Sequence, residues 1–572
     1  MVLPRGSKER FHVILIKPSK YDDDGYVIRW WRAVVTSNSL ACLNALTESA
    51  RDRHVLGSEV EIVIHLCDET VQRVPIRKWA RSIKKAGETG IVCLVGVQSN
   101  QFPRAVDLAK EFQKEGIRSM IGGFHVSGCL EMLPELTPEI KEARDAGITL
   151  VAGEVENRWD GLLREAYEGT LQPIYNFVAD KPSLEGVPGP LVSKNDLKYF
   201  INAQSSFDAG RGCPFHCSFC TIINIQGNQM RGRTADDIER LVRLNHAQGL
   251  THFFITDDNF ARNRGWEAIA DRLIHLREQE GLHSSIMIQT DTLAHKIPRF
   301  IEKMTRAGCR RVFIGLESVN PDNLAECGKR QNMLSEYRRM LQTWRDHNAI
   351  TYAGYIIGFP GDTYESIMRD VEYLKREIPL DFAEFFIWTP LPGSKDHQAL
   401  YRKGARMNPD MNLYETAHVV MEHPKMSTDE LMRAYHDAWS SFYSKEHCLT
   451  LLKRRKGPRR RLLFASLVWF RSTVFLENIH PLLGGYIRLK GRKNRRPGYP
   501  IESFWIYYMK RFADFFRYSV GMIQLVSEMY GLVRTATLPE FADYEDIATK
   551  PETTETAGGL SLIQKQKRAV VA

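Results

Sequence analysis

The stretch Arg211-Gly-Cys-Pro-Phe-His-Cys-Ser-Phe-Cys220 places Cys213, Cys217 and Cys220 in a CxxxCxxC spacing. Three thiolates on one short loop can ligate three irons of a [4Fe–4S] cluster and leave the fourth iron open to a substrate or cofactor. Clustering this tight is not explained by ordinary buried core cysteines. A zinc site with His216 as the fourth ligand stays open as an alternative, although no second CxxC or HxxxH half lies nearby.

This spacing, with the aromatic Phe219 just before the last cysteine, resembles the signature of the radical S-adenosylmethionine (SAM) enzymes. In that superfamily the open iron chelates the methionine part of SAM. One-electron reduction of the sulfonium then releases a 5′-deoxyadenosyl radical. The resemblance implies that Cys213, Cys217 and Cys220 are the metal ligands and that SAM is a cofactor. It also implies an external electron donor of flavodoxin or ferredoxin type.

Strand and helix signals alternate over residues 201–425. The predicted strands are a segment before Cys213 and the runs 251–256, 284–289, 311–316, 351–357 and 383–388. Six strand–helix units are fewer than the eight of a full TIM barrel. They resemble the partial (β/α)6 barrel of the radical SAM core, whose site lies at the carboxyl ends of the strands.

Further motifs fall at the predicted strand ends and resemble the SAM-binding segments of that superfamily. Gly354-Tyr-Ile-Ile-Gly-Phe-Pro-Gly361 matches a GxIxGxxG pattern, and Gly315-Leu-Glu-Ser318 offers a carboxylate to the ribose or the methionine amine. Each motif alone also fits a helix cap or a solvated loop, but their order downstream of the cysteines favours SAM binding. The resemblance assigns SAM contacts to Phe219, Asp257, Gln289, Glu317, Gly358 and Leu391.

Residues 1–170 contain short apolar runs separated by helical stretches. The runs are 11–16, 60–65, 91–97, 117–121 and 148–151. This alternation predicts an α/β domain with a doubly wound parallel sheet of Rossmann or flavodoxin type. Such sheets bind ligands at the carboxyl ends of their strands.

Residues at three of those strand ends resemble the cobalamin (B12)-binding domain that precedes the barrel in one class of radical SAM enzymes. They are Ser99, the stretch from Gly122 to His125, and Glu154. In that domain a serine and a glycine pair cradle the dimethylbenzimidazole tail, because glycines let the backbone approach a flat ligand. The resemblance assigns cobalamin contacts to Ser99, Gly122, Gly123, His125 and Glu154. The DxHxxG motif that supplies a histidine to cobalt in that domain is absent from this sequence. The alternative without a ligand is that the glycine pair only makes a turn.

Residues 426–549 are predicted to form a basic, aromatic-rich, mainly helical region. Positions 445–517 hold 18 Lys and Arg against four Asp and Glu, a formal charge of +14. Basic runs beside aromatic residues are typical of an interfacial membrane segment, of a nucleic-acid surface, or of a helical cap with solvated charges. We favour the cap with added peripheral membrane contact, and nucleic acid is the least favoured partner. An ordered linker is predicted over 171–200 and a disordered tail over 550–572.

The composition is that of a globular chain of several domains, with 43% hydrophobic and 26% charged residues in 572. Seven of the ten cysteines are scattered, which is typical of a reducing compartment. The first ten residues lack the apolar run of a signal peptide, and no run approaches the ~18–20 apolar residues of a membrane span. A cytoplasmic location is predicted, with peripheral contact at the inner face of the membrane.

Taken together, these features predict a cobalamin-dependent radical SAM enzyme that methylates an unactivated carbon of a small-molecule or lipid substrate. The same scaffold could instead run a cyclisation, an oxidation or a rearrangement. A hypothesis from another class is a non-catalytic zinc- or nucleic-acid-binding protein that uses the cysteine loop and the basic region. The sequence assigns no residue to hydrogen transfer.

Overall fold

The structure is a computed structural model that describes residues 9–201 and 204–550, so almost all of the predicted tail lies outside it. Its strands are β1 (Glu9–Lys17), β2 (Trp30–Ala33), β3 (Val60–Asp68), β4 (Thr89–Leu94), β5 (Arg118–Gly122), β6 (Thr149–Gly153), β7 (Ile174–Phe177), β8 (Ser205–Phe207), β9 (Gly210–Arg211), β10 (Arg231–Gly232), β11 (His252–Ile255), β12 (Ser285–Thr290), β13 (Cys309–Glu317), β14 (Ile350–Ile357), β15 (Phe382–Ile387) and β16 (Gly485–Arg488).

The helices of the described chain alternate with these strands and then dominate its C-terminal region. They are α1 (Asn38–Asp52), α2 (Ile76–Ala86), α3 (Phe102–Lys114), α4 (Phe124–Met132), α5 (Pro138–Asp145), α6 (Trp159–Glu168), α7 (Lys194–Leu197), α8 (Ile222–Ile225), α9 (Ala235–Ala247), α10 (Trp266–Glu278), α11 (Phe300–Ala307), α12 (Pro321–Glu326), α13 (Leu334–Asp346), α14 (Tyr364–Arg376), α15 (Lys395–Arg402), α16 (Thr428–Phe442), α17 (Lys445–Lys453), α18 (Gly457–Phe475) and α19 (Phe504–Ala536). Over the described residues, none of them combines the length and apolar character needed to cross a bilayer.

The chain forms two compact units. The first unit comprises Met1–Ser285, Thr389–Met421 and Leu482–Lys510. The second unit comprises Ile286–Trp388, Glu422–Pro481 and Arg511–Ala572. The N-terminal sheet and the cysteine loop therefore both belong to the first unit.

The N-terminal sheet of the first unit has six parallel strands in the order β3-β1-β4-β5-β6-β7. Its second strand, β1, is buried on both faces: Ile14 and Ile16 enter one core cluster, whereas Val13 and Leu15 enter the other. A strand buried on both faces reads as a continuous apolar run, which is why the sequence signal was strong here. The predicted doubly wound fold is confirmed, and β7 adds an edge strand within the stretch predicted as a linker.

The segment Leu482–Lys510 packs in the first unit against the loops that follow β1. Strand β16 pairs antiparallel with β2, and the Trp30 indole N–H donates to the carbonyl of Leu483 at 3.0 Å. Arg488 forms an ion pair with Asp22 at 2.7 Å, and Arg496 forms one with Asp410. Much of the basic charge in this segment is therefore neutralised within the unit.

Six further parallel strands, each followed by helix, correspond to the six predicted for the barrel. In the first unit β8 pairs in parallel with β11. In the second unit β12, β13, β14 and β15 form a parallel array in that order. The predicted α/β class with a partial, unclosed barrel of six strands is confirmed.

Helices α16 to α18 complete the core of the second unit. Phe470 on α18 packs against Tyr352 of β14 and Phe382 of β15, with ring centroids 6.0 and 5.0 Å away. Trp439 on α16 lies 5.3 Å from Phe385. This part of the C-terminal region covers the sheet with buried aromatic side chains, and closure of the barrel mouth by aromatic residues stays a prediction.

A buried ion pair holds the start of the α17–α18 connection to the sheet of the second unit. Arg455 donates from Nε and Nη2 to the two carboxylate oxygens of Asp381 at 2.9 and 2.5 Å, and both residues are buried. Burial alone would raise the pKa of Asp381, but Arg455 and the donors at Thr351 hold that pKa below its ordinary value. The pair therefore depends on both partners being charged.

We expect the Arg455→Met substitution to lower the free energy of unfolding by about 3–5 kcal/mol, because it leaves the Asp381 carboxylate buried without its partner. Thermal unfolding followed by circular dichroism measures the loss. Arg376→Met is the matched control, since Arg376 pairs with Glu372 at an exposed position and should change stability by less than about 1 kcal/mol. Equal losses of stability in the two variants would contradict the stabilising role of the buried Arg455–Asp381 pair.

Candidate functional site

The cysteine loop connects two short antiparallel strands of the first unit, β9 and β10. The Cys213 N–H donates to the carbonyl of Gly227 at 3.2 Å, and the Cys220 N–H donates to that of Cys217 at 3.2 Å. Cys217 is buried, and the other two thiols are half-buried. The loop thus presents three thiols from a backbone that is fixed at both ends.

The cysteine loop offers three thiols, one for each of three irons of a cluster. Within the described part of the chain, Cys213, Cys217, Cys220 and His216 do not converge to within 4.8 Å of one another, as the ligands of a single zinc ion do. A four-iron cluster takes one thiolate on each of three irons and so needs wider spacing. Burial raises the pKa of the Cys220 thiol to about 12, so a bound metal must displace its proton.

The side chain of Arg211, which stands two positions before Cys213, anchors the start of the cysteine loop. Arg211 forms ion pairs with Glu154 at 2.8 Å, with Glu156 at 2.5 Å and with Asp208 at 3.0 Å. Although burial opposes ionisation, Arg211 and Arg233 hold the pKa of Asp208 well below its usual range. Glu154, predicted to contact cobalamin, therefore lies in a charge network that joins the N-terminal sheet to the cysteine loop.

Asp257, predicted to contact SAM, also supports the cysteine loop. Its carboxylate accepts hydrogen bonds from the N–H groups of Ala209 and Gly210 at 2.7 and 2.8 Å, and from the Asn263 amide at 3.1 Å. Burial raises the pKa of Asp257 to about 7 in spite of these donors. The carboxylate holds the backbone just before Arg211.

A cleft of about 190 Å³ opens in the first unit at the carboxyl ends of β4, β5 and β6. Gly122, Gly123 and Glu154 line it, together with Arg211 and Leu43. Gly123 has φ +149°, and a Cβ there would lie 2.1 Å from the Val97 nitrogen, so no other residue fits without moving the loop. A glycine-lined cleft at strand ends fits the flat heterocyclic tail predicted to bind there.

Ser99 and His125 do not line that cleft. His125 is buried, and its Nδ1 lies 3.1 Å from the Ser99 hydroxyl, while its ring packs 4.4 Å from that of Phe102. The structure brings these two residues together, and His125 directly follows Phe124 of the cleft wall, but neither residue lines the cleft. Their assignment to cobalamin stays a prediction.

The second unit holds Gln289, Glu317 and Gly358 of the predicted SAM set. Glu317 ends β13 with φ +66°, a strained value for a residue with a side chain, and its carboxylate pairs with the buried Lys329 ammonium. Gly358 follows β14 with φ +88°, and its N–H donates to Asp362 at 3.0 Å. Gln289 lies in β12. Strain and a tight glycine turn at strand ends are typical of a ligand-binding rim.

A match to a known family coincides with these features. Residues 209–374 match the family described as the Radical SAM superfamily. The chain carries a radical SAM domain. The matched residues begin just before the cysteine loop and end within α14, so they include the cysteines, Asp257, Gln289, Glu317 and Gly358.

Two curated relatives of this radical SAM protein are methyltransferases. The chain is 24% identical over 405 residues to bacteriochlorophyllide d C-8(2)-methyltransferase of Chlorobaculum tepidum, which covers 66% of this chain and 83% of that protein. It is 24% identical over 347 residues to hopanoid C-2 methylase of Rhodopseudomonas palustris, which covers 58% of this chain and 60% of that protein. The prediction of a radical SAM enzyme is confirmed.

Solved structures show the same fold. The cobalamin-dependent SAM radical enzyme OxsB, with aqua-cobalamin and SAM bound, matches with a TM-score of 0.54 and 12% identity over 95% of this chain and 82% of that one. The radical SAM methyltransferase TsrM from Kitasatospora setae, with tryptophan and a SAM analogue bound, matches with a TM-score of 0.51 and 16% identity over 68% and 76%. The fold of this chain is thus similar to that of two solved radical SAM proteins.

The remaining predicted SAM residues of the radical SAM protein, Phe219 and Leu391, lie on two loops of the first unit that contact each other. The Asn224 side chain donates to the carbonyl of Gly393 at 2.8 Å, and the Asp396 N–H donates to that of Ser218 at 3.1 Å. Both Phe219 and Leu391 are half-buried. Their roles stay predictions, but their loops are fixed next to the cysteines.

Sequence reasoning missed one buried carboxyl group in the second unit. Glu384 on β15 is 2% exposed, lies beside Gly354 in the register, and its Oε2 has no hydrogen-bond partner among the described residues. Burial raises the pKa of Glu384 to about 8. A carboxyl group kept neutral next to the glycine strand is a further candidate for the site. Its only sequence signal is a charged residue inside an apolar strand.

Proposed function

We propose that this chain is a cobalamin-dependent radical SAM enzyme that transfers a methyl group to an unactivated carbon of a lipophilic small molecule. The observation that carries the proposal lies in the first unit. There Arg211 lines the glycine-walled cleft and stands two residues before Cys213. One guanidinium therefore borders both the predicted cobalamin site and the predicted cluster loop.

The residues of the chain fit the groups that this chemistry needs. When bound, the cluster supplies the electron that cleaves SAM, and cobalamin carries the methyl group. Cys213, Cys217 and Cys220 would hold the cluster, and the Gly122-Gly123 wall would admit the flat tail of cobalamin. The task of the protein is to position these groups and to exclude water from them. An external donor of flavodoxin or ferredoxin type is part of the proposal.

Label transfer tests the proposal directly. The chain is reconstituted anaerobically with iron, sulfide and hydroxocobalamin, and is incubated with a chemical reductant, methyl-deuterated SAM and a lipid and metabolite extract. We expect one product that has gained a labelled methyl group, and none with the Cys217→Ala variant. Formation of 5′-deoxyadenosine without labelled product would overturn methyl transfer and favour ring closure, oxidation or rearrangement.

The lipophilic substrate class is supported by an apolar stripe on α19. The stripe consists of Trp505, Met509, Phe512, Phe516, Val520, Ile523 and Tyr530. These positions are separated by three, four or seven residues, so they share one face of the helix over about 38 Å. Trp505, Met509 and Phe512 are 76, 72 and 73% exposed. An exposed apolar face of this length is characteristic of a helix that lies in a bilayer interface.

The stripe would bind a bilayer mainly through its apolar side chains. Lys510 on the same helix pairs with Glu502, and Arg511 pairs with Asp514, so local carboxylates offset part of the basic charge. The basic residues still favour an anionic surface by up to about 1 kcal/mol each, and salt screens that attraction. We therefore propose reversible peripheral contact that high salt weakens but does not eliminate.

We expect the Phe512→Asp/Phe516→Asp variant to lose roughly 100-fold or more in affinity for anionic vesicles. Removing one phenylalanine side chain from water contributes about 1.5–3 kcal/mol to the free energy of vesicle binding. The variant loses this contribution at two positions. Vesicle co-sedimentation measures the loss. These point substitutions are preferable to deleting the C-terminal region, because α16 and α18 supply core residues of the second unit.

Leu244→Asp is the matched control, since Leu244 is 45% exposed on α9 and lies outside the stripe. The control should sediment like the unmodified chain. If the unmodified chain ignores vesicles and instead elutes as a dimer that the double substitution dissociates, the stripe pairs with a second copy and the membrane proposal fails.

A further inference from the structure

A second group of metal-ligating side chains lies in the first unit, outside the cysteine loop. His125 and Cys129 stand one turn apart on α4, and Glu139 lies on α5. His125 Nε2 is 3.9 Å from Cys129 Sγ and 3.5 Å from Glu139 Oε1, and the three ligand atoms all lie within 4.8 Å of one another. His125 and Cys129 are buried.

These separations are close to those around one zinc ion. Zinc lies about 2.3 Å from sulfur and about 2.0–2.2 Å from nitrogen or oxygen, so tetrahedral ligand atoms sit roughly 3.3–3.7 Å apart. The two separations from His125 Nε2 match that range to within a few tenths of an ångström. Only small side-chain shifts are needed to close the three ligands around an ion.

The orientation of His125 is set by its other ring nitrogen. His125 Nδ1 lies 3.1 Å from the Ser99 hydroxyl, which leaves Nε2 directed toward Cys129 and Glu139. Histidine ligands commonly bind metal through one nitrogen while the other is held by a hydrogen bond of this kind. The Ser99–His125 contact is therefore suited to supporting a ligand.

The candidate fourth ligand is His397 on α15, which lies outside the group of three whose ligand atoms fall within 4.8 Å of one another and must move toward the ion to bind it. His397 is 4% exposed, and its Nδ1 has no hydrogen-bond partner in the described chain. His125 and Glu139 both act electrostatically on this ring. The backbones of α4 and of the loop before α15 touch, because a Cβ on Gly128 would lie 2.7 Å from the Gly393 Cα. Because this nitrogen has no hydrogen-bond partner in the described chain, it is available to bind an ion.

We propose that His125, Cys129, Glu139 and His397 form a zinc site. The donor set of one thiolate, two imidazoles and one carboxylate suits Zn²⁺, which accepts sulfur, nitrogen and oxygen in tetrahedral geometry. On binding, Cys129 releases its thiol proton and His125 releases the proton on Nε2, both to solvent, so that the thiolate and two neutral imidazoles ligate the ion. Four protein ligands leave no open position, so the ion has a structural role. It joins α4, which follows the glycine pair, to α5 and α15.

The test separates this site from the iron–sulfur loop. The full chain carrying Cys213→Ala, Cys217→Ala and Cys220→Ala is incubated with zinc alone, dialysed and analysed by elemental mass spectrometry. We expect one zinc per chain, and X-ray absorption with a single sulfur neighbour. Adding Cys129→Ala or His397→Ala should weaken zinc binding at least about 10-fold.

Cys67→Ala is the matched control, because Cys67 is a buried thiol of the same unit that lies outside the group. It should leave zinc binding unchanged. If the triple variant fails to fold, zinc and iron are counted in the reconstituted chain with and without Cys129→Ala, where zinc alone should fall. Less than stoichiometric zinc, or zinc that survives both ligand substitutions, would overturn the site.

Discussion

The Cys217→Ala variant is expected to lose its iron and to form no 5′-deoxyadenosine from SAM. With two thiolates left on the loop, two of the four irons lack a protein ligand, and the cluster has no stable attachment. Cys217 is the buried member of the three, so its loss also opens the loop to water. Iron and sulfide analysis measures the cluster, and chromatography after chemical reduction measures SAM cleavage.

The fold should survive this substitution, because the loop is held independently of the metal. Arg211 keeps its three carboxylate partners, and Asp257 keeps its bonds to the preceding backbone. Circular dichroism should therefore match that of the unmodified chain. Cys309→Ala and Cys327→Ala are the controls, since both thiols are buried in the second unit. If either control lost as much iron as Cys217→Ala, the assignment of the cluster ligands to the cysteine loop would be wrong.

Features with a local signal were predictable from the sequence. The CxxxCxxC spacing needs only ten residues, and the apolar runs of β1 and β14 mark strands because parallel sheets bury both faces. Gly358 and Gly123 were singled out as glycines, and the structure gives both positive φ values. In each case the physical requirement is contained within one short segment.

Features that depend on distant partners were not predictable. The basic run 488–496 suggested a free charged surface, but Arg488 and Arg496 pair with Asp22 and Asp410, which no periodicity connects to them. Glu154 was assigned to a cofactor from its motif, and its ion pairs with Arg211 and Arg231 appear only once the loops meet. Ion pairs between remote segments leave no pattern in a single sequence.

The second large effect that we expect is the loss of cobalamin when a substitution fills the cleft beside the glycine pair. Gly123→Trp, the obvious way to fill the cleft, would also break the loop, since even a Cβ at Gly123 would lie 2.1 Å from the Val97 nitrogen. A lining residue with an ordinary side chain is a cleaner choice. Leu43 on α1 is half-buried and contributes to the cleft wall.

We expect Leu43→Trp to abolish retention of cobalamin while the first unit stays folded, because the indole takes the space that the flat tail would fill. Chain reconstituted with hydroxocobalamin is passed through gel filtration, and the corrinoid that stays with it is measured by absorbance. Leu56→Trp is the control: Leu56 packs against the same core cluster as Leu43 but does not line the cleft, so overpacking should cost both variants about 1–3 kcal/mol. Retention by the control and not by Leu43→Trp assigns the cleft to cobalamin. If the unmodified chain retains no corrinoid, the N-terminal domain has another role, and the proposed methyl transfer falls with it.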